Sequence, residues 1–186
     1  AKSGIIIHNG GILERPQLRA YATALVEDAF EWCEGRVWWW RAPILAWLTW
    51  ISIRHLADPL YQSLFGGLNL GIHEAGHLVF GWAPQFVMAL GGTVLQCAAP
   101  VASAWMFLRQ PDYFAVPVCG VWLADNLYGV AAYMADARAQ ELPLVTVGGG
   151  EAEHDWGYML DALGLLKMDT TLAACLRLAA FALAWS

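Results

Sequence analysis

Residues 86–108 contain no charged side chain, and no other feature of the chain restricts its fold as severely. The run is 23 residues long. As a helix rising 1.5 Å per residue it reaches roughly 34 Å, against a bilayer hydrocarbon core of about 30 Å. Inside lipid every backbone N–H and C=O must be satisfied within the protein, which leaves helices or a closed barrel. The segment shows no two-residue alternation, so a helix is expected. The rest of the chain agrees: it is 59% hydrophobic and only 14% charged, with mean hydropathy +0.46. A soluble domain is about one quarter charged. The 11 tryptophans fit the same reading, because indoles collect at membrane–water interfaces. The expected fold is an all-α, polytopic membrane helical bundle of about five transmembrane helices, preceded by an N-terminal amphipathic helix.

The order along the chain follows from patterning. Residues 1–36 read as an irregular arm and an amphipathic helix from Pro16 to Glu34, with Leu18, Tyr21, Leu25, Ala29 and Trp32 opposite Glu27, Asp28, Glu31 and Glu34. Its acidic face argues for docking on protein rather than on anionic lipid. Residues 37–186 read as a single bundle domain. Span one, Val37 to about Ile53, is entered through Trp38-Trp39-Trp40 and Arg41. Span two runs from about Leu60 to Gly81, where Gly67, Gly71 and Ala75 offer a face for close helix approach. Pro84 forces a turn before span three, Phe86 to Leu108, and span four covers about Tyr113 to Ala135. A polar segment from Asp136 to Asp155, with Gly148-Gly149-Gly150 at its centre, leads to a short interfacial helix from Trp156 to Lys167. The last span ends near Trp185.

Charge narrows the classes of function. A net charge of −6 supplies no basic patch for nucleic acid. Cys33, Cys97, Cys119 and Cys175 are too widely spaced for a metal knuckle or a compact disulfide framework. Ile5-Ile6-Ile7 is too short for a signal-peptide core, so insertion is expected to be directed by the first span. Placing Lys2, Arg15, Arg19, Arg36, Arg41, Arg138 and Lys167 inside, with Arg54 and Arg109 outside, predicts a cytoplasmic N-terminus.

Within span two lies His73-Glu74-Ala75-Gly76-His77. Histidines four apart share one helix face and can reach one Zn²⁺, while Glu74 can take the proton of a water activated there. Ionisable groups inside a membrane are costly, so three together point to a functional site. A catalytic zinc needs a third protein ligand. Three residues are open for that role. Asp125 lies at nearly the depth of His73, although an ion pair with Arg177 would equally explain it. Asp136 lies near the end where His77 sits. His154, the one histidine of the polar loop, offers a neutral imidazole. Gln96, at similar depth on span three, can hold substrate backbone or make an interhelical hydrogen bond.

Through H-E-A-G-H (73–77), L-G-G-T-V-L-Q (90–96), Y-M-A-D-A-R-A-Q-E-L-P-L-V (133–145) and H-D-W (154–156), the chain resembles a group of bacterial integral-membrane proteins that carry a metalloprotease motif. That resemblance implies roles for the acid at 136 and the histidine at 154, and it ranks His154 first, Asp136 second and Asp125 third as the missing ligand. If His154 ligates, Asp136 can orient His73 or His77 from outside. More distantly the chain resembles intramembrane zinc proteases of the site-2 type, which place an aspartate ligand before a glycine in a later span. Neither Asp125-Asn126 nor Asp136-Ala137 matches that pattern.

The expected function is therefore zinc-assisted peptide hydrolysis in a bacterial inner membrane, with His73, His77 and His154 or Asp136 as ligands and Glu74 as general base. Its partners would be lipid and a membrane-protein substrate. The competing expectation is a non-catalytic accessory subunit of a larger membrane complex, respiratory or photosynthetic, that keeps a structural metal site. Haem or chlorophyll ligation ranks below both, since an i, i+4 pair suits one metal better than two stacked macrocycles.

Overall fold

The computed structural model describes residues 15–144 and 153–185. Among them the chain is all helical, with seven α-helices and no strand. The helices are α1 (Arg15–Cys33), α2 (Ala42–Ala57), α3 (Gly66–Val79), α4 (Gln85–Arg109), α5 (Ala115–Ala135), α6 (Asp155–Ala162) and α7 (Asp169–Ala184). Short 3₁₀ turns at Trp39–Arg41 and Leu166–Met168 lead into α2 and α7. The chain divides into two compact units, Ala1–Trp40 and Arg41–Ser186. In the first, the Arg36 side chain closes the end of α1 by donating to the Trp32 carbonyl at 2.6 Å and stacking 4.1 Å over its indole. Gly148-Gly149-Gly150 at the centre of the polar segment lies outside the described residues.

The second unit is organised around α5, which packs against α7, α4 and α2, while α3 lies against α4. The core gathers Val130, Ala131 and Met134 of α5, Ala137 just beyond it, Leu160 of α6 and Ala173 of α7. Small residues allow this closeness. A Cβ on Gly76 of α3 would run into the backbone of Gly91 and Gly92 of α4, so the two helices touch backbone to backbone there. The close face expected at Gly67 and Gly71 is corrected by this: nothing lies within 4 Å of a Cβ at either position. The α3 stripe that meets α4 is offset from the one read from small-residue spacing. Burial follows His73 and Gly76.

The expectation of about five membrane spans is also corrected. Among the described residues two helices, α4 with 25 residues and α5 with 21, are long and apolar enough to cross a membrane. Helix α3 has 14 residues, and α2 and α7 have 16 each. At 1.5 Å per residue these rise about 21 to 24 Å, short of a hydrocarbon core of about 30 Å. Turns account for the difference. Gly66 opens α3 late, after the Ser63 hydroxyl has accepted the Phe65 N–H at 3.0 Å. Pro84, with ψ 147°, sets the start of α4.

Candidate metal centre

Helical periodicity turns His73 and His77 of α3 the same way, and their rings meet edge to face with centroids 4.7 Å apart. Helix α4 then fixes each ring by its Nδ1. His73 Nδ1 stands 2.6 Å from Gln96 Oε1, and His77 Nδ1 stands 2.9 Å from the Met88 carbonyl oxygen. Both oxygens only accept, so both Nδ1 atoms donate, which leaves the Nε2 of each ring to face the site. Room for this comes from Gly92, where a Cβ would lie 2.6 Å from His73 Nε2. Four residues above Gln96, Pro100 has no N–H to return to the Gln96 carbonyl, so α4 lacks one ladder bond beside the site.

Both Nε2 atoms face the same oxygen. Asp155 Oδ2 lies 3.2 Å from His73 Nε2 and 3.3 Å from His77 Nε2. Among the described residues these three side chains form the one group whose ligand atoms, all within 4.8 Å of one another, can share a metal ion. A proton shared with the carboxylate or a metal ion between the three atoms can both occupy such a cluster. The 3.2 Å contact lies at the long end of hydrogen-bond range, and ligand atoms about 2.0–2.1 Å from a tetrahedral zinc stand roughly 3.3 Å apart, so the spacing admits either.

Asp155 is the first residue of α6 and is held by Tyr133 of α5, whose hydroxyl accepts its N–H at 3.1 Å and lies 3.5 Å from its Oδ2. Glu74 lines the same cavity as the three candidate ligands, and its side chain makes no hydrogen bond to any described residue. The cavity measures about 670 Å³ and lies within the second unit.

The residues expected to supply the third ligand are placed elsewhere. His154 caps α6: its Nδ1 accepts the Gly157 N–H at 3.0 Å, its ring stacks on Tyr133 at 4.1 Å, and its Nε2 lies 3.5 Å from Asp136 Oδ2. Burial pushes this imidazole below its ordinary value, against the pull of the Asp136 carboxylate, which agrees with a neutral ring accepting through Nδ1. Asp136 accepts the N–H groups of Glu141 and Leu142 at 3.0 and 3.1 Å and so ties down the chain leaving α5. Asp125 pairs with His55 at 2.8 Å and Asn69 at 2.9 Å. Arg177 does not meet it, donating instead to the carbonyls of His55 and Pro59 at 2.7 and 3.3 Å. Gln96 makes the interhelical hydrogen bond, accepting from His73 Nδ1 at 2.6 Å.

Asp155 itself escaped the sequence reading because neither its spacing nor its setting marks it. It lies 82 residues from His73, beside the more conspicuous His154. Its only local signal is position, an acid opening a short helix. Comparison with known protein families, curated proteins and solved structures found no match to this chain.

Proposed function

We propose that this protein is a membrane-embedded zinc hydrolase of the metalloprotease type, holding its ion through His73, His77 and Asp155. One observation carries the reading: with both Nδ1 atoms occupied by acceptors, two imidazole Nε2 atoms and one carboxylate oxygen converge at zinc-ligand spacing. His73, His77 and Asp155 would hold the ion with three protein ligands, the number that a catalytic rather than a structural zinc site uses. A bound zinc ion supplies Lewis acidity, polarising a carbonyl and bringing a water toward ionisation at neutral pH.

The protein's own groups do the rest. Glu74, adjacent to His73 and with a side chain free of hydrogen bonds to the described residues, accepts the attacking water's proton and returns it to the leaving amine. Gln96 and the Met88 carbonyl hold the imidazoles in the tautomer that presents Nε2. Tyr133 and the His154 cap hold the N-terminus of α6, and with it Asp155. The membrane placement draws on α4 and α5, and the cytoplasmic N-terminus on the lysine and arginine balance.

Glu74→Gln tests the mechanism, because the amide keeps the shape of the side chain and cannot take the proton. Zinc content should stay at about one equivalent while hydrolysis of membrane-protein substrates ceases. Undiminished turnover in Glu74→Gln removes the proposed base. A zinc-bound native protein that cleaves nothing in its own membrane is instead an accessory subunit with a structural ion.

A further inference from the structure

Helices α2 and α3 are each too short to cross a membrane, and their neighbours show how they divide one crossing between them. Helix α5 is the ruler: its 21 residues rise about 32 Å, close to a hydrocarbon core of about 30 Å. At the entry to α2, the Arg41 guanidinium lies 4.9 Å over the Phe114 ring, just before α5 begins. At the far end of α2, His55 meets Asp125 at 2.8 Å and stacks on Tyr128 at 4.5 Å, halfway along α5. Helix α3 takes over at that depth. Phe65 stacks on Trp122 at 5.9 Å, Asn69 donates to Asp125 at 2.9 Å, and the His73 ring lies 6.3 Å from that of Tyr133. Both short helices therefore run in the direction of α5, one beside each half. Two separate spans joined by a turn would run antiparallel and bring Arg41 beside His77. Instead His77 sits at the opposite end, 2.9 Å from the Met88 carbonyl and 3.3 Å from Asp155.

The backbone at the break finds its partners within the protein. Pro59 has no N–H to return to the His55 carbonyl, and Arg177 of α7 donates to that carbonyl at 2.7 Å and to the Pro59 carbonyl at 3.3 Å. The Leu60 and Phe65 N–H groups go to the Asp58 and Ser63 side chains at 2.9 and 3.0 Å. Leu60, Tyr61, Gln62 and Ser63 line the metal cavity, and non-helical backbone at membrane depth is tolerated where it borders such a space. At its other end the cavity reaches the exposed residues Gln85, Pro143 and Glu153.

The remaining helices show which ends share a face. Helix α4 runs against α3, with Met88 at His77 and Gln96 at His73, so Arg109 finishes beside the start of α5. Arg138 pairs with Asp169 at 2.7 Å where α5 ends and α7 begins, and Trp185 returns to line a small cavity with Pro117 and Val118. Arg41 and Arg109 thus share one end of the bundle, and Arg138 and Lys167 share the other with the metal centre. Arg54, 4.9 Å over Tyr61, and Arg177 sit at the break and count for neither. We propose that α2 and α3 form one broken membrane crossing, so that the metal centre opens on the external face and takes a polypeptide segment exposed there. The side follows from charge: Lys2, Arg15, Arg19, Arg36, Arg41 and Arg109 fall in the loops of one face, against Arg138 and Lys167 in those of the other. Five separate spans would reverse this, with Arg109 outside and Arg138 and Lys167 inside. That the segment is hydrolysed rests on the reading above; the crossing rests on the membrane placement alone.

The test treats the full chain, expressed in bacterial cells, with a membrane-impermeant maleimide in spheroplasts and in inverted vesicles. Cys97, Cys119 and Cys175 are replaced by Ala, which leaves Cys33, too few residues before Arg41 to recross the bilayer, as one reporter. Gln110→Cys, Ala139→Cys and Lys167→Cys, at exposed positions and each in a Cys33→Ser background, supply the others. If these chains do not fold, an epitope inserted after Gln110 or Ala139 and read by antibody on spheroplasts reports the same sides. Cys33 and Gln110→Cys should react only in inverted vesicles, Ala139→Cys and Lys167→Cys only in spheroplasts. Cys33 and Gln110→Cys on opposite faces mean separate spans and overturn the broken crossing. Both on the external face leave the metal centre cytoplasmic and overturn the external substrate. Reaction of every position in both preparations removes the membrane placement and the proposal with it. Zinc content and the Glu74→Gln assay decide the hydrolase independently. A chain without zinc that labels as expected defeats the hydrolase and keeps the crossing; zinc with the wrong labelling does the reverse.

Discussion

Each imidazole of the 73–77 pair commits one nitrogen to an oxygen of α4 and turns the other to Asp155. The consequences differ by atom. Asp155→Ala removes a ligand oxygen, so zinc affinity should fall by more than the roughly 10- to 100-fold that loss of an outer partner costs. Gln96→Leu removes such an outer partner and should fall within that range, read by competition with a chromogenic chelator. His154→Ala removes the α6 cap and the ring stacked on Tyr133, but no proposed ligand atom. It should keep zinc at one equivalent in metal analysis and lower unfolding stability by about 1–3 kcal/mol. Equal zinc loss in His154→Ala and Asp155→Ala would return His154 to the ligand set.

At the scale of elements, the approach of α3 to α4 sets the site. Gly92 leaves the space that the His73 ring occupies, and Gly76 lets the two backbones touch. Gly92→Ala should displace His73, costing about 1–3 kcal/mol and most of the zinc affinity. Gly71→Ala, with open space around its Cβ, should change stability by no more than about 0.5 kcal/mol. Thermal unfolding with and without a chelator checks both, and a zinc-replete Gly92→Ala would show that His73 has another way to seat. Helix α6 is positioned differently, by polar ties. Tyr133 holds the Asp155 backbone, and Tyr133→Phe should weaken zinc binding while leaving helix content unchanged by circular dichroism.

For the whole molecule the question is what covers its apolar surface. Only 28% of the most apolar stretch of α4 and 39% of that of α5 are buried by the rest of the chain. The core helix of a soluble domain would be mostly covered, and under the proposed membrane placement lipid covers the rest. The protein should stay with the membrane pellet after an alkaline carbonate wash, as immunoblotting would show; release into the supernatant would refute a spanning arrangement.

What the sequence determined by itself is the part governed by neighbours along the chain. The apolar runs placed α4 and α5 within a residue or two of their ends, and the i, i+4 spacing put His73 and His77 on one face. Both are consequences of the 3.6-residue helical repeat, which any short window contains. Span lengths were less legible, because turn chemistry around Ser63 and Pro84 shortened α3 inside an apolar stretch that reads as continuous. The proposed third ligand was not legible at all. Only tertiary packing brings Asp155, rather than His154, Asp136 or Asp125, to the histidine pair, by seating α6 so that its first carboxylate meets two rings 82 and 78 residues earlier in the chain. The same packing paired Asp125 with His55 rather than Arg177. Hydrogen bonds between distant helices depend on rotations and offsets that no local period encodes, so they are fixed only when the bundle closes.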